Sequence, residues 1–341
     1  MSLTTEHPRH LQVSARGLRL YEKAPDYAAI RLAVEEHPLR AVAGHEVVVE
    51  IHAAAVNPSD AKAATGLMPY AVFPRTPGRD YAGKVVAGPA ALVGKLVFGS
   101  SGDLGIRQDG SHASHMIVEA SAVVEVPQGI GARQAAGIGV PFVTAWEGLR
   151  RAGLPIAGET AMILGLNGKV GQAAAQIASW LGARVIGVVR REEPYAGHAN
   201  GPVEVIAANT TDVPAKIREL TGGKGADIVF NTVGDPFYEI GQKSMAVGGR
   251  AIFISVIDRF VSFDILAFYK GRHTYVGIDT IALGSVETGA ILKALTPGFA
   301  DGSLKPFPIV DDAVYRFDDA YAAYQAVMGS SRHRVVLVPG G

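Results

Sequence analysis

Gly165-Leu166-Asn167-Gly168-Lys169-Val170-Gly171 sits between the apolar run Ala161–Gly165 (AMILG) and the Ala-rich stretch Val170–Leu181. A dinucleotide pyrophosphate requires close backbone approach and free N–H groups at a helix N-terminus, and glycine permits both. The spacing is not a strict G-x-G-x-x-G, because it carries one extra residue. A glycine-rich turn alone would suit any tight strand-to-helix junction. Here it follows a strand and opens a helix within a βαβ pattern, so Asn167, Gly168, Lys169, Val170 and Gly171 are expected to cradle a dinucleotide.

Working outward from this turn, strands and helices alternate. Gly182 is placed to end the helix, and Arg184–Val189 (RVIGVV) is the next strand, followed by Val203–Ala207. Val213–Leu220 reads as a helix capped by Asp212. Ala226–Asn231 (ADIVFN) and Arg250–Ser255 (RAIFIS) continue the pattern, and Tyr275–Ile278 reads as an edge strand. Such alternation implies a doubly wound parallel sheet. Before Gly139 the chain is β-rich instead. Glu46–Ala55 (EVVVEIHAAA) is a Val-rich strand, and short β-branched segments at Leu18–Tyr21, Lys84–Val86, Lys95–Phe98, His115–Val118 and Val123–Val126 are punctuated by Gly, Pro or Asp. That pattern suggests a compact barrel. Beyond residue 285, Ile291–Leu295 and Phe317–Val327 look helical, and the last strand, Arg334–Pro339, is expected to return to the N-terminal domain. The fold class is therefore α/β, with residues 1–138 and 286–341 forming a β-barrel domain and residues 139–285 a doubly wound one.

The end of the second strand selects the cofactor. NAD-specific sites place an Asp or Glu there to receive the ribose hydroxyls. This chain has Arg190 and Arg191 after Val189. Two guanidinium groups clamp a 2′-phosphate through charge-assisted hydrogen bonds, which points to NADPH. The plain alternative is a pair of solvated charges balanced by Glu192 and Glu193.

Composition narrows the function classes. The chain of 341 residues fits two domains, with 48% apolar and 19% charged residues. Lys+Arg and Asp+Glu both total 32, and no basic stripe is present, which argues against nucleic acid or an anionic membrane as partner. There is no cysteine, so disulfides, thiol nucleophiles and thiolate zinc sites are excluded. Met1–His10 is polar and lacks a signal-peptide core, while the apolar windows Ala135–Trp146 and Ala246–Ile257 are too short and Gly-rich to span a bilayer. A cytoplasmic enzyme acting on a small molecule is the expectation.

Several further stretches carry a resemblance. Ala54–Gly83 (AAVNPSDAKAATGLMPYAVFPRTPGRDYAG) is similar to a signature of V-N-P-x-D followed by P-G-x-D/E-x-x-G. Thr144-Ala145-Trp146 resembles a T-A-Y/W opening of the cofactor domain, Thr232-Val233-Gly234 a turn near the nicotinamide, and Gly248-Gly249-Arg250 a G-G-x before a strand. Leu304-Lys305-Pro306 and Arg334-Val335-Val336-Leu337 complete the match. On these motifs the chain resembles, over nearly its whole length, the zinc-free, quinone-oxidoreductase-like branch of the medium-chain dehydrogenase/reductase superfamily.

The resemblance implies a GroES-like β-barrel catalytic domain beside a Rossmann NADPH-binding domain, and hydride transfer to a quinone or an α,β-unsaturated carbonyl (enone or enoyl thioester). It also implies a homodimer through the edge strand Tyr275–Ile278 and the following Thr280–Leu283. Carried over by position, Thr144, Asn167 to Val170, Arg190, Arg191, Thr232, Val233, Gly234, Ile254, Ser255 and Val256 would line the cofactor, and Arg334 stands where relatives have a Lys near it. Asn57 matches a polar residue facing nicotinamide and substrate, where its amide would stabilise oxyanion character; the alternative is a cap before Pro58. Tyr70 lies near the proton-donating Tyr of enoyl-reductase relatives, at a longer spacing from Gly66. The positions that hold zinc in metal-dependent relatives carry Asn57, Arg79 and Val140, which cannot form that site, so no metal is expected. Arg79 either meets an anionic substrate group or, the reading preferred, pairs with Asp80 or Asp60.

Two stretches depart from the family pattern. Glu192–Pro202 (EEPYAGHANGP) replaces a regular helix, and Val86–Leu96 is shortened. His112 and His115 have a spacing open to metal but no carboxylate pattern, so packing is expected, and no G-x-S-x-G elbow occurs. Two other readings stay open: a non-catalytic NADPH-binding structural or regulatory protein, and an alcohol dehydrogenase with a non-standard metal site. Asn57 and Thr232 favour an enzyme over the former.

Overall fold

The structure, a computed structural model, describes residues 14–68 and 70–340. The reading of Met1–His10 lies outside these residues. The cofactor domain is built on six strands in the spatial order Val203–Ala207, Arg184–Val189, Thr160–Leu164, Ala226–Asn231, Met245–Phe253, Thr274–Gly277. Every pairing is parallel. Thr160–Leu164 is buried at every position, as befits a central parallel strand covered on both faces. The strand order reverses between it and Ala226–Asn231, and ligands of such sheets bind in the crevice at that point, beyond the strands' carboxyl ends.

Helix Lys169–Trp180 covers one face of this sheet, with small side chains at Ala173, Ala174, Ala175 and Ala178 buried against it. Gly182, at φ +88°, ends the helix in a left-handed conformation that glycine adopts without penalty. No helix forms across residues 190–202. That segment is tied down by side chains instead: Tyr195 Oη donates to the His198 carbonyl at 2.8 Å, and Asn200 Nδ2 donates to the Ser303 carbonyl at 2.9 Å. The expected departure from a regular helix is thus a real feature of the fold.

In the barrel domain Glu46–Ala55 is the organising strand. It pairs antiparallel with Asp80–Ala87, His115–Glu119 and the C-terminal Val336–Val338, so the chain's end does return to the N-terminal domain. Leu96–Gly99 and Val124–Glu125 extend the sheet on one side and Val314–Arg316 on the other. A separate antiparallel pair, Ser14–Arg19 with Ala33–Pro38, lies beside it.

Two elements join the domains. Helix Gly139–Arg151 leads into the cofactor domain, and helix Ser285–Asp301 packs across it, with Phe142 meeting Phe299 at 5.0 Å and Phe307 at 5.5 Å between ring centroids. The second helix is much longer than the expected Ile291–Leu295. Gly289 and Pro297 weaken its local signal, but burial of Leu292, Leu295 and Phe299 overrides that weakness. Strand Ala33–Pro38 and helix Ile265–Gly271 were not anticipated from the pattern at all. Among the described residues no helix is long and apolar enough to cross a membrane.

Candidate active site

The phosphate turn forms as its glycines require. A Cβ on Gly171 would overlap the Gly165 carbonyl oxygen, and one on Gly165, which has φ +80°, would overlap Thr232 Oγ1. Among the described residues the N–H groups of Lys169, Val170 and Gly171 donate to no carbonyl or side chain, leaving three aligned donors at the start of a helix. This donor set, with no Cβ at Gly168 or Gly171, fits a dinucleotide pyrophosphate.

Two side chains of the turn have other work. Asn167 Nδ2 donates to the Pro194 carbonyl at 3.0 Å, and its Oδ1 accepts from the Ala196 N–H at 3.1 Å, so this amide anchors the 190–202 loop. Lys169 Nζ donates to the Arg332 carbonyl, spanning from the cofactor helix to the C-terminal segment. Burial, aided by Arg334, pulls the Lys169 pKa down to about 8. Arg190 and Arg191 are exposed and make no side-chain hydrogen bond or ion pair among the described residues. Glu193 pairs with Arg332 at 3.7 Å instead of with either arginine.

Across the crevice, buried Asn231, which sequence reasoning did not single out, shapes the Thr232–Gly234 turn. Its Oδ1 accepts from the N–H groups of Val233 (3.0 Å) and Gly234 (2.8 Å), and its Nδ2 donates to the Gly234 carbonyl at 2.8 Å. Thr232 Oγ1 donates to the Leu164 carbonyl at 2.7 Å. Gly234 has φ +107°, and a Cβ there would lie 2.9 Å from the Ser255 carbonyl oxygen and 3.0 Å from Val256 Cα. Thr232–Gly234 and Ile254–Val256 are therefore adjacent at the carboxyl end of the sheet, on the same side as the phosphate turn. Thr144, buried, lies with Oγ1 3.4 Å from Thr280 Oγ1, a neighbour not anticipated from sequence.

At the inner end of the barrel, Asp80 gathers four donors. Oδ2 accepts from Asn57 Nδ2 (3.0 Å) and Arg334 Nη2 (2.8 Å), while Oδ1 accepts from Ser100 Oγ (2.6 Å) and the Val140 N–H (2.9 Å). A Cβ on Gly139 would overlap Oδ1, so glycine at that position lets the helix start approach the carboxylate. Asn57 is the N-cap residue of helix Pro58–Ala64, and its own N–H donates to Asp60 Oδ2 at 2.8 Å. It serves both as the turn residue before Pro58 and as a donor to Asp80. Asp80 was legible only as part of a motif, and Ser100 was not singled out at all.

Arg334 takes a different role from the one expected beside the cofactor. Its Nε donates to the Gly137 carbonyl (3.0 Å) and its Nη1 to the Val56 carbonyl (2.9 Å), and with the Asp80 pair it is almost wholly buried. The side chain clamps three segments of the protein.

Arg79 also departs from the preferred reading. It forms no ion pair with Asp80 or Asp60 among the described residues. Instead Nε donates to the Ser101 carbonyl at 2.8 Å, Nη1 to Ser59 Oγ at 3.3 Å and Nη2 to the Thr280 carbonyl at 3.4 Å. Asp60 is fully buried, and burial raises its pKa to about 7 despite the Asn57 N–H and Arg79.

Tyr70 lies at the surface, with the Arg107 guanidinium 4.9 Å from its ring centroid. Partial burial, then Asp279, raises its hydroxyl pKa. His112 is buried, with Nδ1 3.1 Å from Tyr324 Oη and Nε2 3.3 Å from the Ala55 carbonyl, while His115 is half-buried with Nδ1 3.1 Å from Ser114 Oγ. Neither joins a metal cluster, and among the described residues no group of three or more His, Cys, Asp or Glu side chains could hold an ion.

This geometry can now be set beside known proteins. Residues 43–128 match the alcohol dehydrogenase GroES-like domain family, and residues 170–293 match the zinc-binding dehydrogenase family. The chain is 32% identical to a zinc-type alcohol dehydrogenase-like protein of Schizosaccharomyces pombe, covering 94% of this chain and 96% of that one. It is 30% identical to the quinone oxidoreductase of Homo sapiens, over 77% of this chain and 80% of that one. Among solved structures, an alcohol dehydrogenase superfamily protein from Novosphingobium aromaticivorans superposes with a TM-score of 0.81 at 26% identity, covering 96% of this chain and 99% of that one. Its barrel, its doubly wound sheet and these relatives together show that the chain belongs to the medium-chain dehydrogenase/reductase superfamily, in the quinone oxidoreductase-like branch.

Proposed function

We propose that this protein is an NADPH-dependent, zinc-independent oxidoreductase that reduces a quinone or an α,β-unsaturated carbonyl such as an enone or enoyl thioester. The observation that carries the reading is the fate of the three positions where metal-dependent relatives bind zinc. Asn57 offers only a neutral amide oxygen, Val140 an apolar side chain and Arg79 a cation, so the set lacks the thiolate, imidazole and carboxylate donors that hold zinc. Activation of the substrate then falls to hydrogen-bond donors and positive charge.

In this reading the N–H groups of Lys169, Val170 and Gly171 hold the pyrophosphate, and Arg190 with Arg191 holds the 2′-phosphate. Thr144, Thr232 to Gly234 and Ile254 to Val256 shape the nicotinamide's surroundings. Bound there, the nicotinamide supplies the hydride. Asn57 keeps one amide N–H beyond the one given to Asp80, and Tyr70 stands at the rim as a candidate proton donor. We place the enzyme in the cytoplasm and as a homodimer joined along Thr274–Gly277, at the open edge of the sheet.

The test is titration with NADPH and NADH followed by fluorescence, then oxidation assays with quinones, enones and enoyl thioesters. Tight NADPH binding with turnover of one acceptor class supports the reading. Binding without turnover of any acceptor would favour a regulatory binder, and metal-dependent alcohol oxidation would sink zinc independence.

A further inference from the structure

Four buried ionisable side chains meet at the inner end of the barrel: Asp60, Asp80, Arg79 and Arg334. Two of them neutralise each other, Arg334 Nη2 lying 2.8 Å from Asp80 Oδ2. The other two do not. Asp60 Oδ1 is buried without a hydrogen-bond partner, and among the described residues neither Asp60 nor Arg79 has an ion pair within 4.0 Å. Burial favours the uncharged acid at Asp60, whereas a guanidinium stays protonated across the working range of pH.

Arg79 is thus a guanidinium only 2% exposed that has no carboxylate within 4.0 Å among the described residues, the charges of Asp80, Asp60 and Asp279 reaching it only from farther away. An isolated buried cation is costly, and an anionic oxygen is its natural complement. Its contacts also leave capacity. A guanidinium has five N–H donors, and Arg79 makes one short bond, to the Ser101 carbonyl, with the Ser59 and Thr280 contacts at 3.3 and 3.4 Å. The position is equally pointed. Ser59 and Ser101 belong to the barrel, and Thr280 follows the edge strand of the cofactor domain and reaches Thr144. The guanidinium therefore bridges the junction of the two domains. Asp279 is close enough for its charge to be felt there.

We propose that Arg79 is a catalytic residue, whose guanidinium binds the substrate oxygen that becomes negative during reduction of a conjugated carbonyl. This rests on the reductase reading above. In the step, a C–H bond of the reduced nicotinamide breaks and a C–H bond forms at the substrate β-carbon. The alkene π pair shifts toward the carbonyl carbon, and the carbonyl π pair moves onto oxygen, leaving an enolate and an oxidised nicotinamide. A proton from solvent then adds at the α-carbon and restores the carbonyl. Arg79 bonds to the enolate oxygen more strongly than to the neutral carbonyl, and that difference lowers the barrier. Asn57, which already donates to Asp80, is a neutral and weaker donor.

The experiment uses para-nitrophenol, whose anion mimics an enolate and absorbs visibly, titrated into the full-length protein saturated with the oxidised dinucleotide. The wild type is expected to bind the phenolate and to lower its apparent pKa by about one unit or more, a tenfold preference for the anion. Arg79→Met should abolish that preference and Arg79→Lys should keep part of it, with dinucleotide affinity unchanged in both. In turnover, Arg79→Met should lose roughly 10²–10³-fold in kcat with KM altered far less, as for removal of one oxyanion donor. Should Arg79→Met fail to fold, the wild type and Arg79→Lys still decide. Neutral para-nitrophenol bound with a raised pKa, or no binding by the wild type, would overturn the proposal. So would a folded Arg79→Met variant with undiminished kcat. Phenolate binding without turnover of any conjugated carbonyl would strike down the reductase reading instead.

Discussion

Asp80 shows how one side chain can tie the parts of a site together. A carboxylate offers about four lone-pair positions, and Asn57, Arg334, Ser100 and the Val140 N–H fill them. Removing Arg334 leaves that buried charge short of its counter-ion. Arg334→Met is expected to destabilise the fold by about 3–5 kcal/mol, measured by denaturant unfolding, whereas breaking an exposed pair such as Lys243–Glu239 should leave stability almost unchanged. His112 gives a second, pH-dependent signature. Burial holds its folded pKa down to about 4 from the ordinary value of 6.5, so the native imidazole stays neutral while the unfolded one takes up a proton. Between these values the unfolded state binds more protons, and stability falls as pH falls. The full drop is on the order of 3 kcal/mol for this group. Urea unfolding of wild type and His112→Gln should show the wild-type advantage largest near neutral pH, shrinking as pH falls below about 6.5 and gone by about pH 4. A constant difference across that range would remove His112 from the account.

Under the proposed reading, the segment 190–202 sets the cofactor preference. Asn167 and Tyr195 hold it against the start of the cofactor helix, and Arg190 and Arg191 are left exposed at its base without partners among the described residues. If they grip a 2′-phosphate, Arg190→Ala with Arg191→Ala should weaken NADPH roughly a hundredfold or more, since hydrogen bonds to charged groups contribute about 1.5–3 kcal/mol each. NADH affinity should change by less than about twofold, because it lacks that phosphate. Equal losses for both dinucleotides would instead mean the variant had loosened the loop. How far elements were legible follows from where their information resides. The phosphate turn was readable because its glycines answer a local backbone demand, and Glu46–Ala55 because its Val-rich run alternates loosely, as a half-buried strand does. Ala33–Pro38 (AVEEHP) escaped because a polar ribbon pairing only with Ser14–Arg19 shows no alternation, and Ser285–Asp301 because its helix is stabilised by tertiary burial. The site was legible by membership and not by role. Asn57 and Arg334 were both singled out, yet their common partner Asp80 lies 23 and 254 residues away, a pairing no local pattern encodes.

Joining two domains leaves an unfinished edge. Thr274–Gly277 ends the six-stranded sheet with one side unpaired, which in soluble proteins is normally covered or blunted. The segment leading to it is strongly apolar and open: Val256, Ile257, Ile265, Leu266 and Tyr269 are exposed, and Phe260 is 87% exposed. These side chains are held out and not merely loose. Asp235 Oδ1 accepts the N–H groups of both Ile257 and Asp258 at 2.7 Å, and Asp264 caps helix Ile265–Gly271 through the Ala267 N–H at 2.9 Å. A rigid apolar patch beside an open edge is suited to its own copy, because antiparallel pairing of two such edges about a twofold axis buries both at once. The same loop begins at Ile254–Val256, which touches Gly234, so the proposed dimer contact and the nicotinamide side of the crevice share one backbone segment. Analytical ultracentrifugation of the wild type should therefore give a dimer, and Phe260→Glu with Ile265→Glu should shift it to monomer. If that monomer binds the dinucleotide as tightly as the dimer, the contact serves assembly alone. If binding weakens severalfold while the melting transition stays cooperative, the partner's hold on this loop also positions Ile254–Val256. A wild-type protein that stays monomeric at every concentration tested would leave the apolar patch without this explanation.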